Sequence, residues 1–128
     1  MAKANNPDII SKIAKDDAIK KEITKIKSLL KEVDKNKIKG VTSIIENAAF
    51  MAVTLRELKE QLNKEGLTCE YQNGENQWGT KKSPEVDIYN TMIKNYIAAM
   101  KPLIDLTGKN IKITDDGFED FVNGKSKS

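Results

Sequence analysis

With 128 residues, 32% of them charged and a formal charge of +3, the chain fits one soluble domain with a modest core. It has no histidine and one cysteine, which excludes an internal disulfide, a Ser-His-Asp triad, a Cys-His pair and a Cys/His zinc site within one chain. No apolar run approaches the roughly 20 residues of a membrane span, and residues 1–6 lack the apolar stretch of a secretory signal, so a cytosolic protein is expected.

The charge is unevenly spread. Residues 1–40 hold eleven lysines against six acidic residues, a balance of +5, whereas residues 41–83 and 84–128 are each at −1. The basic excess therefore belongs to the first segment, which bears on partners rather than on fold.

In chain order, residues 1–7 read as a frayed lead. A helical pattern starts near Asp8, entered through Asn6 or Pro7. Ile9, Ile10 and Ile13 form a small apolar group, and Ile19, Ile23, Ile26, Leu30 and Val33 then recur at helical steps. Residues 14–17 can hold a turn, since Asp16 or Asp17 could cap a new helix, so the spacing leaves open whether 8–33 is one helix or two. Asp34, Lys35, Asn36 and Lys37 form a short polar connection.

A second long helix is expected from about Ile38 to Lys64. Ile44, Ala48, Met51, Leu55, Leu58 and Leu62 alternate steps of four and three, and Val41, Ile45 and Ala52 widen that seam. A widened seam packs on two neighbours. Gly40 weakens the start of this helix, and Gly66 suits the left-handed residue after its end. Arg56, Glu57, Lys59 and Glu60 are spaced for exposed pairs along the helix.

Residues 67–82 then form a long polar connection, of a length that in compact domains tends to be functional or disordered. Tyr71 and Trp78 argue for order, and Gly74 and Gly79 are expected at positive φ. Ser83 reads as the N-cap of a third helix, Pro84 as its first residue and Glu85 as a favourable charge in its first turn. Its apolar face is Tyr89, Met92, Ile93, Tyr96, Ile97, Met100, Leu103 and Ile104. The helix should end at Thr107 and Gly108, with Pro102 kinking it near residues 98–101. In the tail, Thr114 can cap a short helix near 115–122 carrying Phe118 and Phe121, before a flexible end at 123–128.

The expected fold class is thus all-α, with three main helices near 8–33, 38–65 and 84–107 and a long ordered loop between the second and third. Extended structure would be confined to 67–82 or 109–113. One helical domain spans 1–128, with a basic segment at 8–36, a helical oligomerisation core at 37–108 and a tail at 109–128. Three apolar seams with few aromatic residues to fill a monomer point to an oligomer.

No constellation carries catalysis, a cofactor or a metal. The run Gly74-Glu75-Asn76-Gln77-Trp78-Gly79 lacks the ending of a phosphate-binding loop and no strand is expected before it. The acid pairs Asp16-Asp17 and Asp115-Asp116 point apart on a helix and read as solvated charge, and Tyr89 and Tyr96 read as core. The lysines of the first helix are the candidates for phosphate contact, with Lys12, Lys15, Lys20, Lys21, Lys25 and Lys27 as the expected DNA-binding set and Lys31 beside them. Interspersed acids make a solvated face the competing reading, and a turn-plus-recognition-helix signature is absent. Lys81 and Lys82 are the second choice.

One resemblance adds to this. The runs Leu62-Asn63-Lys64-Glu65-Gly66-Leu67, Tyr71-Gln72-Asn73-Gly74-Glu75-Asn76-Gln77-Trp78-Gly79-Thr80-Lys81-Lys82-Ser83-Pro84 and Tyr89-Asn90-Thr91-Met92-Ile93-Lys94-Asn95-Tyr96 resemble the small terminase subunits of tailed bacteriophages. The resemblance spans residues 55–106; the first forty residues and the tail after Gly108 show no such likeness. It implies a non-enzymatic DNA-packaging factor of the host-cell cytoplasm that binds double-stranded phage DNA, assembles into a ring, and delivers DNA to a large subunit bearing the ATPase and nuclease; the wide apolar faces of the second and third helices are the contacts expected to close such a ring. The competing expectation is a helical phage adaptor or structural module that binds protein without DNA.

Overall fold

The structure, a computed structural model, describes residues 7–108. The elements are α1 (Pro7–Leu29), α2 (Lys35–Gly40), α3 (Thr42–Glu65), β1 (Thr68–Gln72), β2 (Trp78–Lys82) and α4 (Pro84–Thr107). The mainly helical expectation holds, with a fourth, short helix and a small two-stranded sheet added. The expected short helix near 115–122, its Thr114 cap, the flexible end at 123–128, extended structure at 109–113 and the lead before Pro7 lie outside the described residues.

The first helical segment is one helix. Residues 14–17 contain no breaker, and Asp17 pairs with Lys21 at 3.4 Å across one turn, which supports the helix there. α1 stops at Leu29, short of Val33, because the chain tightens into three-residue bonds: the Leu30 and Val33 amides donate to the Lys27 and Leu30 carbonyls at 3.0 and 2.9 Å. The expected second helix is divided. Gly40 ends α2, Val41 donates its amide to the Ile38 carbonyl at 3.1 Å, and α3 restarts at Thr42. A glycine with maximal backbone freedom is where such a break costs least.

The long connection is a hairpin rather than a loop. β1 and β2 pair antiparallel from Thr68 opposite Lys82 to Gln72 opposite Trp78. Asn73 donates to the Gln77 carbonyl at 2.8 Å, with Gly74 and Asn76 both at positive φ in the turn. Gly79 does not take the expected positive φ. It sits in β2 opposite Tyr71, and a Cβ there would come within 2.9 Å of the Tyr71 ring, so close approach is its requirement.

Ser83 also differs from expectation. Its hydroxyl makes no cap bond to α4. Instead it donates to the Gly66 carbonyl at 3.3 Å while its amide donates to the Leu67 carbonyl at 2.8 Å. Buried Ser83 thus satisfies a carbonyl left open beyond the end of α3 and closes the base of the hairpin. Pro84 opens α4 as expected, Glu85 and Asp87 occupy its first turn, and the helix continues past Pro102 to a left-handed Gly108.

α3 is the central helix and packs on both α1 and α4. Ala48, Ala49 and Ala52 keep it slim, and Ile26 and Leu30 of α1 and Tyr96, Met100, Leu103 and Ile104 of α4 share one cluster with it. The widened seam therefore has its two neighbours. Those neighbours lie within the same chain, so the buried faces of the second and third expected helices are occupied inside the monomer rather than left for a ring. Lys15 in α1 contacts Glu57 late in α3, and Leu29 and Val33 share a cleft with Leu106 and Thr107. α1 and α4 thus run alike and α3 runs against them. One end of the bundle carries the hairpin, and the other carries the α1–α2 junction and the end of α4.

A polar layer crosses this core. Glu22 of α1 is 1% exposed; Arg56 of α3 donates to it, and Lys25 lies 3.6 Å from the same oxygen. Arg56 and Glu57 therefore pair across to α1 rather than along α3 as their spacing suggests. Tyr96 of α4 is buried beside this layer; burial first, and then the charge of Glu22, push its hydroxyl well above the ordinary phenol range.

Candidate nucleic-acid interface

The core decides which lysines of the first segment can meet a partner. Ile19, Ile23, Ile26, Leu29 and Leu30 turn one stripe of α1 inward, and the remaining positions carry cations. Lys15 is half-buried, with its ammonium 2.9 Å from Glu57 and 4.8 Å from the centre of the Phe50 ring; it serves helix packing. Lys21 is held by Asp17 and Lys25 by Glu22. Lys12, Lys20 and Lys27 are exposed and have no ion pair among the described residues. Lys20 and Lys27 stand two turns apart, about 10 Å, on the outer face of α1.

Beyond α1 the cations crowd. Lys31, Lys35, Lys37 and Lys39 are all exposed, and no salt bridge among the described residues reaches them. Glu32 and Asp34 lie between them in sequence and are likewise exposed. α2 is a poor helix on its own terms. Lys35 and Lys39 are like charges one turn apart, which costs a few tenths of a kcal/mol. Lys35 also sits at the positive end of the helix dipole, and Asp34 gives no side-chain cap bond. Ile38, packed against the core, anchors the segment. A local break in the rules of helix stability, made in favour of charge density, marks a candidate functional surface.

The structure thus brings Lys27, Lys31, Lys35, Lys37 and Lys39 to one end of the bundle and leaves Lys12 near the other. Lys35 and Lys37 fall in the expected polar connection and Lys39 in the expected second helix, so none of the three belongs to the expected DNA-binding set. Their signal was present: three lysines in five residues without an acid among them. Of the second choice, Lys82 pairs with Asp87 at 2.7 Å and Lys81 lies 5.9 Å from the centre of the Tyr71 ring, so the hairpin cations are partly engaged.

Among the described residues no group of three or more His, Cys, Asp or Glu side chains could hold a metal ion, and no helix is long and apolar enough to cross a membrane. A family model described as phage terminase, small subunit, matches residues 20–109. The match begins well before residue 55, so it takes in the second half of α1, all of α2 and Lys27, Lys31, Lys35, Lys37 and Lys39, while Lys12 and Lys15 lie outside it. No curated protein and no solved structure matches the chain.

Proposed function

From the premise that the chain belongs to the phage terminase small-subunit family, and so has a role in phage DNA packaging, we propose that it binds duplex phage DNA through its exposed lysines and delivers it to the large terminase subunit. The observation that carries this reading is the set Lys27, Lys31, Lys35, Lys37 and Lys39, exposed and without an acidic partner among the described residues. Lys20 and Lys12 extend it along α1. Lys15, Lys21 and Lys25 contribute less in this reading, because each must first give up a carboxylate.

Duplex DNA carries one charge per about 1.7 Å of axis, so a cluster of mobile ammonium groups finds phosphates without a fixed register. Such contacts position a protein without reading sequence. The protein's part is non-enzymatic, as small terminase subunits generally are; the large subunit supplies ATPase and nuclease. One helical domain carries the basic segment at 8–36 and the core at 37–108, and copies assemble into a ring in the host-cell cytoplasm, which repeats the basic surface once per subunit.

Binding of a short duplex across a salt series tests this. The affinity should fall linearly with salt on logarithmic axes, by about 0.9 in slope per phosphate neutralised. Changing Lys31, Lys35, Lys37 and Lys39 to Gln should flatten the slope, while changing Lys81 and Lys82 should leave it nearly unchanged. Absence of salt-dependent binding by a correctly folded, assembled protein would return the reading to a protein-binding adaptor.

A further inference from the structure

The basic end of the bundle is also the end at which Gly108, the last described residue, stands. Leu106 and Thr107 line one cleft with Leu29, Val33 and Lys37, and Gly108 follows directly. Past Gly108 the sequence passes Lys109 and Lys112 and reaches Asp115-Asp116-Gly117-Phe118-Glu119-Asp120-Phe121. Those seven residues hold four carboxylates, two phenylalanines and no cation; the next lysines are Lys125 and Lys127. Negative charge is thus concentrated in one short block.

We propose that this acidic block, residues 115–121, docks on the exposed lysines of its own α1–α2 junction, Lys27, Lys31, Lys35, Lys37 and Lys39, and there competes with DNA phosphate. The competition rests on the DNA reading above; the contact itself does not.

Three observations support the occupant. The first is charge. Residues 27–39 carry five lysines against Glu32 and Asp34, a balance of +3, and residues 115–121 carry −4. Because Glu32 and Asp34 line the cleft beside Lys37, the block belongs over the lysines at and beyond the cleft's rim and not inside it. The second is reach. Seven residues from Gly108 to Asp115 span at most about 25 Å, against a length of about 9 Å for α2. The hairpin lysines lie a full α4 away, about 36 Å, and Lys82 already has Asp87. The third is tethering. Exposed ion pairs are individually weak, but a short tether holds the block at an effective concentration on the order of millimolar, so a contact too weak between free molecules is populated within one chain.

Zero-length carbodiimide crosslinking of the full chain, without DNA and at low salt, reads the contact. The expected result is links from Asp115, Asp116, Glu119 or Asp120 to the lysines of residues 27–39, lost at about 1 M salt, where the screening length falls to about 3 Å. Links confined to Lys94 and Lys101, or no tail links, would overturn the docking. Isotopically light and heavy chains produced together separate links within a copy from links between copies, and links only between copies would overturn the assignment to the same chain. A second arm uses the full chain with Asp115→Asn, Asp116→Asn, Glu119→Gln and Asp120→Asn. It should bind a short duplex several-fold more tightly at low salt, with the gap closing as salt rises; unchanged affinity would overturn the competition. If neither form binds DNA, the functional reading above has failed, and the crosslinks still decide the docking.

Discussion

The two ends of the bundle differ in what they leave uncovered. At the hairpin end, Trp78 is 66% exposed, and Leu67, Tyr71, Ile10, Ile13 and Ile88 are exposed with it. Charges of both signs mix there, and several are answered: Lys82 by Asp87, Lys15 by Glu57, and Glu85 by the Gln61 amide. At the junction end the pattern reverses. No large hydrophobic residue from 27 to 41 is exposed, while five lysines in that stretch have no ionic partner among the described residues. A chain with a net charge of only +3 thus keeps a strongly basic pole by sorting its charges rather than by accumulating them, and that is the property a polyanion meets.

The largest effect should come from removing the frame that holds the poles apart. Leu103 is fully buried in the cluster shared by α1, α3 and α4, so Leu103→Ala should cost about 2–5 kcal/mol in urea unfolding and weaken both ends together. The polar layer is next. Arg56→Met leaves Glu22 buried with a weaker partner and should cost about 1–3 kcal/mol. Replacing Glu22 by Leu in the same protein should recover much of that loss, because buried pairs exchange well for apolar ones; a double-mutant cycle measures it.

The same layer has a pH signature. Tyr96 ionises far less readily folded than unfolded. Its stabilising effect is therefore fully present below the ordinary tyrosine pKa of about 10 and is lost above it, where the unfolded chain ionises first. Unfolding measured from neutral to alkaline pH should show a steeper decline above about pH 10 in the native protein than in Tyr96→Phe. Lysines titrate in both proteins, so the difference between the two curves isolates Tyr96.

Much of the frame was legible because it rests on spacing. The apolar steps of α3 and α4 placed the buried Ala48, Leu55, Met100 and Leu103 correctly, and Gly66, Pro84 and Gly108 marked real boundaries. What escaped depended on contacts between elements. Glu22 lies on the inward stripe of a lysine-rich helix, and only Arg56, 34 residues later, explains it. Ser83 carries the pattern of a cap, but the open carbonyl of Gly66 takes its hydroxyl. Residues 67–82 are a place where extended structure is expected, but the pairing escaped, because Gly79 reads as a turn residue until Tyr71 is seen across from it. Of the expected DNA-binding lysines, Lys15, Lys21 and Lys25 have partners that no count of charges reveals.

A smaller effect sharpens the contrast at the apolar end. Gly79→Ala must displace the Tyr71 ring. That ring is exposed and can swing away, so global unfolding should change by less than about 1 kcal/mol. Hydrogen exchange in β1 and β2 should nevertheless speed up, because an isolated two-stranded hairpin is marginal.

Gly66 gives the hairpin its bearing. Its backbone, at φ +89° and ψ 174°, belongs to a region essentially reserved for glycine. Nothing lies within 4 Å of where a Cβ would stand, so space is free there and only the torsion is restricted. Any side chain at this position would cost about 1–3 kcal/mol or turn the chain to escape the cost. A turn there swings an arm whose tip is several residues away, and the Ser83 hydroxyl on the Gly66 carbonyl is the tie that would have to give. The direction in which Trp78 points relative to the three helices is thus governed by one residue without a side chain, far from the aromatic it aims.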